Sequence, residues 1–177
     1  MHIAKTVTDF LLFLEMSLIV LGAVLLFSEI VYNLNLPSSG FIRTVGVKAY
    51  WDADLKEEAN EIQWGTAYIG VPINITLYLY SVSSVRTVLN LETENWMLMN
   101  SGGEVIIGPP DSVSFINFTW SYNGTALNPK DTISVNMTLL VENSPEAIDF
   151  IINNDVSEFT FVISITSDEQ FQPTSSF

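Results

Sequence analysis

The sequence predicts a mainly β protein: an antiparallel immunoglobulin-like sandwich of about seven strands behind one N-terminal transmembrane helix. Three observations carry this. The run Phe10 to Tyr32, FLLFLEMSLIVLGAVLLFSEIVY, is mostly apolar and carries only two ionisable groups, Glu15 and Glu29. As a helix rising about 1.5 Å per residue, it is long enough to cross a hydrocarbon layer of about 30 Å. Beyond it, apolar and polar residues alternate with period two in one short segment after another, the mark of half-buried strands. Gly, Pro, Asn and Ser cluster between those segments, where turns need them. A jelly roll is the nearest alternative arrangement of the same strands.

The chain divides accordingly into a polar cap, residues 1–9, the span, 10–32, a short stalk, 33–40, the sandwich, 41–166, and a disordered tail, 167–177. Within the span, Glu15, Gly22 and Glu29 recur at steps of seven, which return to one helix face with a drift of about 20° per step. A small residue between two intramembrane carboxylates reads as a helix-packing face. The other reading puts both glutamates at the two interfaces. A cleaved signal peptide would also explain an apolar N-terminus, but the run exceeds the roughly 7–15 residues of a signal core. No Ala-x-Ala-like site follows it; Ser38 to Gly40 is the nearest substitute.

The stalk contains Pro37 and Gly40 as breakers. A first strand follows from Phe41, with Arg43, Val45, Val47 and Ala49 on one parity and Ile42, Thr44, Lys48 and Tyr50 on the other. Trp51 to Gly65, WDADLKEEANEIQWG, reads as an acidic loop between two tryptophans. Asp52, Asp54 and Glu57, with Glu58 and Glu61 behind them, are calcium candidates, because a hard cation takes several carboxylate oxygens from one loop. Their spacing lacks the glycine and the terminal glutamate of an EF-hand loop, so a solvated acidic loop is preferred and no metal is expected. Ile73, Ile75, Leu77 and Leu79 then alternate with Asn74, Thr76, Tyr78 and Tyr80. A further strand runs from Val88 to Trp96, and another carries Ile116, Phe118, Trp120 and Tyr122, closed by a hairpin signal at Asn123-Gly124. Ile133, Val135, Met137 and Leu139 mark the next strand, and Phe159, Phe161, Ile163 and Ile165 the last. Between these two, Ser144 to Asn154 predicts a short helix capped by Ser144 with Pro145 at its first position.

Composition narrows the chemistry. There are no cysteines, and the single histidine is His2. Disulfides, thiol nucleophiles, cysteine-ligated metals and histidine-based triads are thereby excluded from the sandwich. With 20 acidic against 6 basic side chains, the net charge is −14, which repels nucleic acid and favours basic partners. No cofactor is expected. Four Asn-x-Thr sequons stand beyond the span, at Asn74, Asn117, Asn123 and Asn136. Three fall on the polar parity of a strand and one in a turn, positions that accommodate a glycan on an extracellular domain. Tyr78 and Tyr80, with Trp51, Trp64 and Trp96, offer a possible aromatic binding surface. Trp96 and Trp120 are better placed as core plugs.

The segments VGVKAYWD, IQWG, TENW and SYNGTALNP, within residues 40–166, resemble a group of archaeal single-span membrane-anchored proteins carrying an immunoglobulin-like sandwich. The resemblance implies an accessory surface module. This chain departs from that pattern by having no cysteine after WDAD and by a more apolar stretch at Ile148 to Ile152. The architecture is also similar to type IV pilin-like subunits, with Glu15 in the place of their early helix glutamate, although no basic-small pair precedes the apolar run.

The expected function is a non-catalytic, single-pass cell-surface protein whose sandwich lies on the extracellular side and contacts surface-layer proteins, other membrane proteins or glycans. The alternative is an accessory or structural subunit of a membrane complex or filament, assembled through its transmembrane helix. A two-carboxylate glycosidase is permitted by the number of acids, but no spacing supports it.

Overall fold

The computed structural model describes residues 35–107 and 113–169. The cap, the span with its Glu15, Gly22 and Glu29, and residues 170–177 lie outside the described residues. Among the described residues no helix is long and apolar enough to cross a membrane. They hold nine strands and one helix: β1 (Asn35–Val45), β2 (Val47–Tyr50), β3 (Glu61–Tyr68), β4 (Ile73–Ser81), β5 (Thr87–Asn100), β6 (Val105–Ile107), β7 (Ile116–Trp120), β8 (Thr132–Val141), α1 (Pro145–Asn153) and β9 (Val156–Glu169). Two sheets form, one in the order β3-β1-β9-β5-β6 and the other β2-β4-β8-β7. The sandwich expected from alternation is present, but not wholly antiparallel. β1 runs parallel to β9, from Ser38 opposite Phe159 to Val45 opposite Thr166.

The stalk expectation is corrected at this point. Residues 35–40 are the first half of β1, and Leu36 is 1% exposed. Polar Ser38 is tolerated inside because its hydroxyl donates to the Gly65 carbonyl at 3.3 Å. Pro37 stands beyond the ladder with β9, which begins at Ser38, so its missing N–H forfeits no bond there. The far boundary moves as well: Ser167, Asp168 and Glu169, assigned to the tail, extend β9 opposite Leu89, Val88 and Thr87.

The continuous first strand is in fact two, because Gly46 adopts φ +77°, a left-handed conformation open chiefly to glycine. The chain leaves one sheet as β1 and enters the other as β2, and its parity flips. Arg43 and Val45 are exposed, while Val47 and Ala49 are 2% exposed. The loop from Trp51 is shorter than expected, since Glu61 to Tyr68 is β3, paired with β1 through a bulge opposite Ser38 and Ser39. Gly65, at φ +76°, absorbs that bulge and turns Trp64 inward at 4% exposure. Asn95, at φ +54°, bulges β5 in the same way and buries Trp96.

Between the sheets these tryptophans meet the last strand. Phe161 stacks on Trp96 with centroids 4.0 Å apart and planes 5° from parallel. Phe118 of the opposite sheet stands edge-on to Phe161 at 5.4 Å and to Trp64 at 5.7 Å. Gly40 leaves the necessary room, since a Cβ there would lie 3.2 Å from Trp64 Nε1 and 3.6 Å from Phe161 Cζ. The helix forms as its caps require. Ser144 Oγ accepts from Ala147 N at 3.2 Å, Pro145 opens the first turn, and Ala147 and Ile151 are buried.

Candidate functional site

Three of the four sequon asparagines, Asn74, Asn117 and Asn136, and the tyrosines Tyr78 and Tyr80 gather on the outward face of the sheet β2-β4-β8-β7. Alternation sends Leu77, Leu79, Val135, Met137 and Leu139 into the core, which leaves the other parity outside. On β4 and β8, Asn74 lies opposite Thr138 and Thr76 opposite Asn136. On β7 and β8, Thr119 lies opposite Thr138, and Asn117 opposite Leu140. Three sequons, one on β4 and two on the successive strands β7 and β8, thus form one patch of asparagine and threonine. All four sequon asparagines are exposed.

Their hydrogen bonding differs. Thr138 Oγ1 donates to Asn74 Oδ1 at 2.7 Å, and Asn117 Nδ2 donates to Glu142 Oε1 at 2.7 Å. Asn123 lies in the connection after β7, where its Oδ1 accepts from Thr125 N at 3.0 Å. That turn is not the tight β7–β8 hairpin expected from Asn123-Gly124. Residues 121–131 intervene between the strands, because Leu127 pairs with Thr87 of β5 and Tyr122 Oη, a donor to Thr125 O at 2.7 Å, accepts from Leu89 N at 3.2 Å. These bonds draw the chain toward the other sheet.

The opposite end of the same face is aromatic. Tyr50 lies opposite Tyr78 and Lys48 opposite Tyr80, with Ser134 and Thr132 next in register on β8. Tyr50, Tyr78 and Tyr80 are half-buried. Tyr78 and Tyr80 were expected outside and are. Tyr50 and Lys48 were missed as their companions, because only strand register brings β2 beside β4. The tryptophans divide otherwise. Trp64 and Trp96 belong to the core and drop out of any binding surface, while Trp51 and Trp120 are half-buried. Trp120, expected in the core, packs against Tyr122 at the sheet margin, ring centroids 5.0 Å apart.

Asp52 organises the acidic loop around its own backbone. The Asp52 carboxylate accepts backbone N–H groups from Glu57 at 2.9 Å and from Lys56 at 3.2 Å. Asp54 pairs with Lys56 at 2.7 Å. Among the described residues no group of three or more acidic or histidine side chains is placed to hold a metal. The calcium candidates Asp52, Asp54 and Glu57 are therefore not gathered, because Asp52 is turned onto the backbone of its own loop. Calcium and a chelator are expected to leave the melting temperature unchanged, measured by calorimetry on the solubilised chain.

The hydrogen bond from the Glu57 N–H, with that from Lys56 and the charge of the Lys56 ammonium, holds the Asp52 carboxyl below its ordinary 3.8. A group depressed in the fold contributes stability that is complete above its unfolded value and is lost as pH falls through the folded one. The loop is therefore expected to keep its order from neutrality down to about pH 3.8 and to loosen below that. Amide exchange at Lys56 and Glu57 measures this, and Asp52→Asn should show the faster exchange already at neutral pH.

No protein-family model matches this chain, and no curated protein sequence matches it. Among solved structures, the ASH/PapD-like domain 7 of human CEP192 is similar at 11% identity, covering 72% of this chain and 87% of that one, with a TM-score of 0.39. A family 123 glycoside hydrolase from Clostridium perfringens, described for glycolipid glycan hydrolysis, is similar at 13% identity over 80% of this chain and 24% of its own, with a TM-score of 0.28. The chain spans about a quarter of that hydrolase.

Proposed function

We propose that this chain is a non-catalytic, single-pass membrane protein that presents its sandwich outside the cell for contact with protein or glycan. The observation that carries the reading is the convergence of the sequons. Asn117 and Asn136 come from the successive strands β7 and β8 and Asn74 from β4, far earlier in the chain, yet all three share the outward face of one sheet. A face meant for burial against another domain would be a poor place for three such asparagines, whereas a glycan-bearing face needs them accessible. The anchor rests on the apolar run Phe10 to Tyr32, and the resemblance to archaeal anchored sandwich proteins points the same way. The tyrosine end of the face, with Lys48, is the contact region, since phenol rings serve both sugar stacking and protein interfaces.

Protease treatment of intact cells, followed by intact mass and glycopeptide mapping of the membrane-extracted chain, tests this. Sandwich peptides released from intact cells and a mass raised by glycan are expected. Protection from protease together with an unmodified mass would place the sandwich inside and end the proposal. Assembly as a subunit is the second reading, favoured by the seven-residue spacing of Glu15, Gly22 and Glu29, which on a helix would share one face. Sizing in mild detergent separates the two, because a monomer at all concentrations removes the assembled form.

A further inference from the structure

β7 accompanies β8 only as far as Trp120 opposite Met137, whereas β8 continues beside β4 to Thr132 opposite Tyr80. One side chain makes the parting. Ser121 donates its backbone N–H to the Asn136 carbonyl at 2.9 Å, but Asn136 N donates to Ser121 Oγ at 2.8 Å. The hydroxyl stands in for the carbonyl, and the chain leaves the ladder toward β5.

In an antiparallel sheet, successive residues direct their N–H and C=O groups to opposite sides. Asn136 directs its pair toward β7, so Ser134 and Thr132 direct theirs the same way. The bond from Ser81 N to Asp131 O, 2.9 Å, puts the odd-numbered residues on the β4 side, as alternation requires. Among the described residues, no hydrogen bond reaches the N–H or C=O of Thr132 or Ser134 from the side β7 has left. A groove of about 350 Å³ runs against this edge, with Ser121, Tyr122, Asn123 and Thr125 on one side and residues 133–135 on the other.

We infer that this groove is a docking site for an extended segment of a different polypeptide, which adds as an antiparallel strand beside β8. Two donor–acceptor pairs at strand spacing recognise main chain, and the flanking walls select side chains of alternating kind. Charge decides whose segment it is. No residue lining the groove is acidic or basic, while the chain as a whole carries −14. A second copy is repelled, and a basic strand is drawn in. The inference goes beyond the surface-contact reading and stands without it, since binding is measured on the chain alone.

The probe is a peptide of about seven residues, alternating threonine and valine with a lysine at each end, added to the full chain in detergent. Amide exchange at Thr132 and Ser134 is expected to slow by about tenfold or more. The same peptide with alternate amides N-methylated should give no slowing, and a version ended by glutamates should bind several-fold more weakly. Thr125→Trp, which fills the groove from an exposed position, and Ser134→Pro, which removes one open N–H, should each abolish the effect. If the proline disturbs β8, the Thr125 variant decides. Unprotected Thr132 and Ser134, equal protection in Thr125→Trp, or equal action of the N-methylated peptide would overturn the site. Equal binding of the glutamate-ended peptide would overturn the choice of a non-acidic partner.

Discussion

Phe161→Ala is expected to lower the unfolding free energy by about 3–5 kcal/mol, the range for deleting a buried phenylalanine. Phe161 is 1% exposed, lies on the β9 strand between β1 and β5, and touches rings from both sheets. Removing it takes away its own burial. It also strips the partner from Trp96, the stacking face of Trp64 at 6.3 Å and the edge contact of Phe118. Gly40 adds to the loss, because no Cβ stands there to fill part of the cavity. Urea titration with tryptophan fluorescence measures the effect, and total stabilities of about 5–15 kcal/mol make it a large share. Phe161→Leu should cost less, since it restores volume but not the stack. A loss below about 1 kcal/mol for the alanine variant would mean that the ring cluster is not the centre of the core.

Gly46→Val is expected to cost about 2–4 kcal/mol, from two separable sources. The first is φ +77°, where a β-branched side chain crowds its own backbone. The second is steric, because a Cβ at Gly46 would fall 1.8 Å from Ser167 Oγ and 2.9 Å from Ser167 Cβ. Ser167→Gly in the same chain removes the second source and leaves the first, so the double variant should recover part of the loss. Denaturation of the four members of this cycle, the parent included, measures the split. A neutral Gly46→Val would show that the passage of the chain between the two sheets does not depend on that backbone conformation.

How far the fold was legible follows from where alternation is unbroken. β4, β8 and β9 read directly, because Leu77, Val135 and Phe161 sit in uninterrupted period-two runs, and α1 read from Ser144 and Pro145 at its start. β3 did not, since Gly65 shifts its parity midway and Glu61 prolongs the acidic composition of the loop before it. Pro37, Ser38 and Ser39 look like a linker in sequence, and only a neighbouring carbonyl at Gly65 makes a buried serine acceptable. For the site, the sequons and Tyr78 and Tyr80 were visible one by one. That they share a face with Tyr50 depends on β2, β4, β8 and β7 being neighbours in space, while only β7 and β8 are consecutive in the chain. The open edge at Thr132 and Ser134 left no trace in composition. It arises from a single serine hydroxyl ending a strand.

The position of β9 has a consequence for how this protein is made. It is the last strand described and yet the middle one of its sheet, with β3 and β1 on one side and β5 and β6 on the other. Until residues 156–169 have left the ribosome, those two pairs have nothing to join them, and the aromatic cluster lacks Phe161. Contacts of such long sequence separation form late and together. The sandwich is therefore expected to fold after synthesis of β9 and not before it, and a nascent chain stalled before Val156 should be as protease-sensitive as an unfolded one.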